Sequence, residues 1–426
     1  MKILLIFFIF VHCFINALTW TRYTILPKVE NASTPQISFN DDNEGFVIYG
    51  YNSKIYVSKY DETFGTGSAI SGALTSTTVP QISRNTSDEA AAVWITDGQY
   101  TYQSSFNAST WSIPTYISQH TDYNAYAING ADVSMNDDGD AIAVWGLSAT
   151  DAMFGKMAIQ VSQFTSSSWS PYSDIVSGMF DVFKNPKVKY NDSGHAMATF
   201  WNAVVLASYY NGTSWSTQTI SDGGEIDDTG NIAMDNSNRA VAVWAAYDDP
   251  TYYIKARTYN GTIWSSVETL FSSTSHVGIN PQVSMNNSGN ALVIFSCDSD
   301  EKIRGCKYLS GTWSHTGANA YTLSASGVEY EDENVCSVSI SSTNEGVAVW
   351  KRPGLVANTI EASIFNWGTD SWDSTEDVQV ISNTLYNAQN PRVEINSSDN
   401  SVAVFEQYDG TKYDIAGAVS SDPPPI

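Results

Sequence analysis

The stretch PQVSMNNSGNALVIF, residues 281–295, decides the fold, because seven more copies of it run through the chain. They read PQISFNDDNEGFVIY from Pro35, PQISRNTSDEAAAVW from Pro80, ADVSMNDDGDAIAVW from Ala131 and PKVKYNDSGHAMATF from Pro186. GNIAMDNSNRAVAVW from Gly230, CSVSISSTNEGVAVW from Cys336 and PRVEINSSDNSVAVF from Pro391 complete the set. Aligned on Asn40, Asn85, Asn136, Asn191, Asp235, Asn286, Ser341 and Asn396, the copies lie 44 to 55 residues apart. The motif itself carries no gap, so the length differences fall in loops. A period of this size marks a chain built by repeating one supersecondary unit.

Three residues before each anchor stands Val or Ile, within a short apolar strand. Three residues after it stands Gly, Asn or Asp: Asn43, Asp88, Gly139, Gly194, Asn238, Gly289, Asn344 and Asp399. Those residue types best tolerate positive φ. One of them closing a short polar turn predicts a type I turn with a G1 bulge. In the next strand the fifth residue past the anchor is small, the seventh is Ala or Val, and the ninth is aromatic. The aromatics are Tyr49, Trp94, Trp145, Phe200, Trp244, Phe295, Trp350 and Phe405. The three positions share one face, because strand side chains alternate. The opposite face is apolar too, so the strand is sandwiched and the eight aromatics are read as packing residues.

A third strand follows, such as KIYVSKYD from Lys54, and then a fourth with its own aromatic. These are Trp20, Phe64, Trp111, Trp169, Trp215, Trp264, Trp313 and Trp372. Four short antiparallel strands make one blade, and eight such units predict an all-β, eight-bladed β-propeller. The chain opens with a fourth-type strand, Trp20 to Leu26, and ends with a third-type strand, Tyr413 to Val419. The first strand is therefore expected to complete the last blade and lock the ring.

Acidic residues number 45 against 20 basic ones, a net charge of −25. Such a field repels nucleic acid and anionic lipid. It points away from those partners and toward solubility outside the cell. The N-terminus, MKILLIFFIFVHCFINALTW, has one lysine, an apolar run too short to span a bilayer, and small residues near Ala17. We expect a signal peptide at residues 1–17, one propeller over 18–420, and a short tail at 421–426. The expected location is secreted, periplasmic or cell-surface, and the expected state is a monomer. Cys297 and Cys306 flank one predicted hairpin turn, where a disulfide would suit an exported chain. Cys336 would then remain a buried thiol.

The unit V-x-x-N/D-x-x-G-x-A-x-A-V-W, followed by I-x-A-R-x-Y-x-G-x-x-W, is clearest in residues 232–264 and 283–313. It resembles a repeat of exported bacterial propeller proteins that are mostly uncharacterised. The resemblance implies the fold and the export, and no defined activity.

Candidate chemistry is sparse. Residues 134–145 partly echo the Asp box of sialidases, but the glycine and tryptophan are out of place and the arginines are scattered. Arg and Glu do not repeat as they do in fucose-binding propellers. Asn136, Asp138 and Asp140, like Asn40, Asp42 and Glu44, have the alternate-residue spacing of a calcium loop, which the other copies lose. No cofactor is otherwise implied. Acidic clusters at Glu225, Asp227 and Asp228, at Asp248 and Asp249, and at residues 329–333 fall in loops. The reading is an exported, non-catalytic binding or scaffold propeller that recognises a protein or glycan through loops on one face. The longest loops fall in the units from 136 to 191 and from 286 to 396. The alternative is a glycosidase-like enzyme with acidic residues converging at the channel mouth.

Overall fold

The computed structural model describes residues 19–421, apart from 26–31, 75–78, 97–99, 119–124, 150–155, 166, 180–182, 224–225, 228–229, 276–280, 298–300 and 326–335. Eight antiparallel sheets stand around one axis as the blades of a propeller. The innermost strands are Ala32–Phe39, Gln81–Arg84, Ala125–Met135, Lys184–Tyr190, Asn231–Met234, Gln282–Met285, Cys336–Ile340 and Ala388–Ile395. They belong to blades 1 to 8 in that order, and each touches the next around the axis. The second strand of every blade is the aromatic-bearing one, the third follows it by a hairpin, and the outermost position is filled last in blades 1 to 7. In blades 1, 3, 6 and 7 two short segments share the outer edge, and in blade 5 two share the inner one.

Each anchor position starts the hairpin between the first two strands. Its N–H bonds to the carbonyl four residues on in all eight copies, at 2.8–3.0 Å. The residue three past it has φ between 62° and 83° in all eight. The predicted turn and its left-handed closing residue are thus present throughout. The preference for Asn or Asp at the anchor has a local cause. In seven copies its side-chain oxygen accepts the N–H four residues ahead, an Asx turn that fixes the loop.

The core is divided into eight seams between blades. Between blades 4 and 5, Met197, Val205, Ala207 and Ile220 pack on Ile232, Ala240, Ala242 and Trp244. All eight predicted second-strand aromatics are at most 1% exposed. Small residues five and seven past the anchor let the sheets close on these rings. A Cβ added to Gly346 would collide with Leu292 of the preceding blade. Burying one such ring is worth roughly 2–3 kcal/mol, so the seams carry most of the stability.

The fourth-strand aromatics also pack. Seven of them lean on an aromatic of the third strand with ring centroids 4.8–5.5 Å apart: Tyr60–Phe64, Phe106–Trp111, Phe164–Trp169, Tyr210–Trp215, Tyr259–Trp264, Tyr308–Trp313 and Phe365–Trp372. Ring closure follows the expected route. Thr19–Thr24 pairs antiparallel with Tyr413–Ser421, so the first strand is the outer strand of blade 8. Chains truncated before residue 26 should leave Tyr413–Ser421 as a bare edge. They are expected to melt at lower temperature and to associate as concentration rises, followed by circular dichroism and light scattering. An unchanged melting temperature would show that the first strand contributes nothing to closure.

The disulfide expected between Cys297 and Cys306 is absent, and both thiols are buried. Cys297 pairs with Lys302 and Cys306 with Val293. The hairpin axis lies two residues earlier than a bridge would need. The two cysteines share a face but stand about 13 Å apart along the strands, well beyond bridging range. Burial pushes the Cys306 and Cys336 thiols up to about 12. Iodoacetamide should therefore leave Cys297, Cys306 and Cys336 unlabelled in the native chain 18–426. All three should label after denaturation without reductant, read by mass spectrometry.

Candidate functional site

An innermost strand has a blade partner on one side only, so half of its N–H groups point at the axis. The structure satisfies them from the blade behind. Ser38, Ser83 and Ser134, each two residues before its anchor, accept the N–H of Arg84, Met135 and Tyr190 of the next blade, at 3.0–3.1 Å. Ser284 and Ser339 accept those of Ile340 and Ile395, at 3.2–3.3 Å. Glu394 closes the circle by accepting the Phe39 N–H at 2.6 Å. Six of eight joints are tied in this way. The other two begin at Lys189 of blade 4 and Ala233 of blade 5, which offer no acceptor.

Within this collar lies a polar channel pocket of about 330 Å³. Its walls include Gln36, Asn231, Gln282, Lys189, Arg392 and Glu394. Lys189 is exposed to the channel. Arg392 donates to Gln36 Oε1 at 3.1 Å. Glu394 stands on blade 8, across the ring from Lys189. Burial of its carboxyl pushes it up to about 7, against the pull of the Phe39 N–H and the Lys189 and Arg84 charges. Asp132, another carboxyl on these strands, is turned to the Val188 N–H of blade 4, at 2.9 Å.

A second concavity, of about 860 Å³, opens at the rim between blades 2 and 3. Its cause is a local loss of bulk. Blades 1 and 6 place Lys59 opposite Phe46 and Lys307 opposite Leu292. Lys59 then reaches Glu44 at 3.0 Å and Asp88 of blade 2 at 3.4 Å, while Lys307 pairs with Asp370 of blade 7. The equivalent pair in blade 2 is Ser105 opposite Ala91, too small to bridge the rim. The open cleft is lined by hydroxyls and amides, among them Gln103, Ser105 and Thr115, and by Phe106, Tyr116, Phe164 and Trp169. Tyr116 is 48% exposed. One wall carries Glu89, Asp138 and Asp140. Glu89 accepts Asn85 Nδ2 at 2.9 Å. Burial, reinforced by the charges of Asp138 and Glu89, raises Asp140 above the ordinary carboxylate range.

Little of this was marked by the sequence candidates. The calcium-spaced Asn136 and Asn40 use their side-chain oxygens to cap their own turns. Asp248 and Asp249 are exposed at a hairpin tip, where Asp249 accepts the Tyr247 hydroxyl at 3.0 Å. Glu225, Asp228 and the run 329–333 lie outside the described residues. Among the described residues no helix is long and apolar enough to cross a membrane. Sequence reading missed Lys189, Ala233, Ala91 and Ser105. For Lys189, Ala233 and Ala91 the available signal was departure from the residue type that serves the other blades, whereas the position of Ser105 varies from blade to blade.

No protein-family model and no curated protein matches the chain. Solved structures share the architecture at low similarity. A Dyadobacter fermentans protein of unknown function is 11% identical, with 71% of this chain and 99% of that chain covered and a TM-score of 0.42. A Hadza microbial sialidase is 11% identical, covering 78% and 73%, with a TM-score of 0.42. A PL25 ulvan lyase is 9% identical, covering 68% and 80%, with a TM-score of 0.47. All lie below 0.5, so none bears on ligand or chemistry.

The raised Glu394 carboxyl links stability to pH. A carboxyl whose pKa rises on folding stabilises the fold below its unfolded value, near 4.5, and that contribution is lost as pH climbs through about 7. Glu394→Gln keeps an acceptor for Phe39 and removes the titration. The variant should match the parent near pH 4.5 and exceed it by roughly 1–3 kcal/mol at pH 8. Denaturant melts at the two pH values check this, and parallel pH profiles would refute it.

Proposed function

We propose that the protein is an exported, non-catalytic glycan-binding propeller whose ligand lies in the cleft between blades 2 and 3. One observation carries the reading. The cleft joins hydroxyl and amide groups, which match sugar hydroxyls, to exposed aromatic surface on which sugar rings can lie. Its volume is that of a small-molecule site able to take a short oligosaccharide. The rigid seams on either side position these groups in advance, so little entropy is lost on binding. Export and the monomeric state belong to the same proposal, supported by the N-terminal sequence and the acidity.

A second reading is favoured by the acidic wall. Glu89, Asp138 and the raised Asp140 stand together in a cleft with aromatic walls, the setting that glycoside hydrolysis requires. In that reading Asp140 would be the proton donor and a neighbouring carboxylate the base or nucleophile.

A glycan array probed with chain 18–426 tests the first reading. Binding is expected, and it should fall at least tenfold in Tyr116→Ala and in Ser105→Lys, which restores the side chain that fills the rim in blades 1 and 6. Chromatography of bound glycans after long incubation decides between the readings. Intact ligand supports binding alone, whereas cleavage abolished by Asp140→Asn supports hydrolysis. A silent array with capture of a protein partner would replace both.

A further inference from the structure

The serine collar has one gap, spanning the joints from blade 4 to 5 and from 5 to 6. In an antiparallel ladder the N–H one residue before the anchor points away from the second strand and toward the axis. At six joints that N–H meets a side-chain acceptor from the preceding blade. At the gap the N–H groups belong to Met234 and Met285, and the residues that should cap them are Lys189 and Ala233. Among the described residues no side chain of the preceding blade reaches either N–H. Of the eight residues at this position, Met234 and Met285 alone line the channel pocket. Lys189 lines it beside them, exposed and with no ion-pair partner among the described residues.

Three donors therefore face one cavity: an ammonium and two main-chain N–H groups. Backbone donors aimed into a concavity make a fixed anion site, and a nearby cation adds charge to it. The chain spends few cations, 20 in 426 residues, and places Lys189 on this wall and Arg392 on the blade 8 wall of the same pocket. We infer that the channel binds an anion, holding a carboxylate or sulfate group between the Lys189 ammonium and the N–H groups of Met234 and Met285. The site lies on the blade 4–6 side of the channel, and Glu394 of blade 8 faces it from across the ring. A hydroxy acid fits both walls, with its charge on the donors and a hydroxyl toward Glu394. The inference is independent of the rim cleft, which shares no residue with the channel pocket.

Calorimetric titration of chain 18–426 with glucuronate, sodium sulfate and glucose tests it. Glucuronate is expected to bind at millimolar Kd or tighter, and glucose at equal concentration to give no signal. Lys189→Met should weaken glucuronate binding about tenfold or more. Ala233→Ser, which supplies the missing acceptor for Met285 and leaves every charge in place, should weaken it similarly. Ser105→Lys should leave it unchanged, which separates this site from the rim cleft. Sulfate binding with the same dependence assigns the site to oxyanions in general. Glucuronate binding alone assigns it to acidic sugars. Absence of binding by both anions up to about 50 mM overturns the inference. So does anion affinity untouched by both channel variants when their melting temperatures show that they fold.

Discussion

The free edge of the innermost strand is the constraint from which the rest of this ring follows. A blade that ends at the axis leaves main-chain donors with no strand to receive them, and a buried donor without a partner costs about as much as a lost hydrogen bond. The chain answers at five joints with a serine two residues before the anchor, and at a sixth with Glu394, each reaching forward to the next blade. One hydroxyl thus satisfies an edge and joins two repeats. Its short side chain also keeps the axis open, since a larger residue at five or six joints would fill the channel. Outside the collar the seams take over. There the small residues five and seven past the anchor let each aromatic be covered by the blade behind it.

Chemistry then appears where the unit departs from itself. Ala91 and Ser105 in blade 2 remove the bulk that Phe46 and Lys59 supply in blade 1, and the rim opens. Lys189 and Ala233 remove two caps from the collar, and the channel gains donors. In both places the neighbouring blades hold the geometry rigid. A vacancy therefore stays open instead of collapsing, which is how a repeated scaffold carries a specific surface.

This pattern also explains how far the sequence could be read. Which strand faces the axis, and with it the closure by Thr19–Thr24, came from the structure, whereas blade count, the four-strand antiparallel unit and the left-handed turn residues rest on features present in every copy. Repetition made them legible. The cysteine pairing was not, because it depends on where one hairpin axis falls, and the repeat motif does not set that axis. The role of the fourth-strand tryptophans lies beyond the repeat, since periodicity cannot tell a ring that covers its neighbour from one that faces a ligand. Contact with Phe106, Tyr210 or Tyr308 settles this for their blades. The sites were hidden for the opposite reason to the fold. They are exceptions, and an alignment built on agreement discards them.

The net charge of −25 bears on the channel in a way that pairwise contacts do not. Seen from outside, the ring should repel an anion. Salt confines that repulsion to about 8 Å at physiological ionic strength, so it acts mainly on approach. Inside the channel the nearest groups dominate, and on blades 4 to 6 these are donors. Glu394 sets the opposite condition at the far wall. Its carboxyl is held up to about 7 by its surroundings, so near neutrality it is divided between a neutral donor and a charged acceptor. A ligand charged at both ends would meet repulsion there whenever Glu394 is ionised. One that is anionic at one end and hydroxylated at the other would not. The blade 8 wall also carries Arg392, which bonds Gln36 beside Glu394, so selection among anions follows from the arrangement of Lys189, Arg392 and Glu394 more than from the overall charge of the chain.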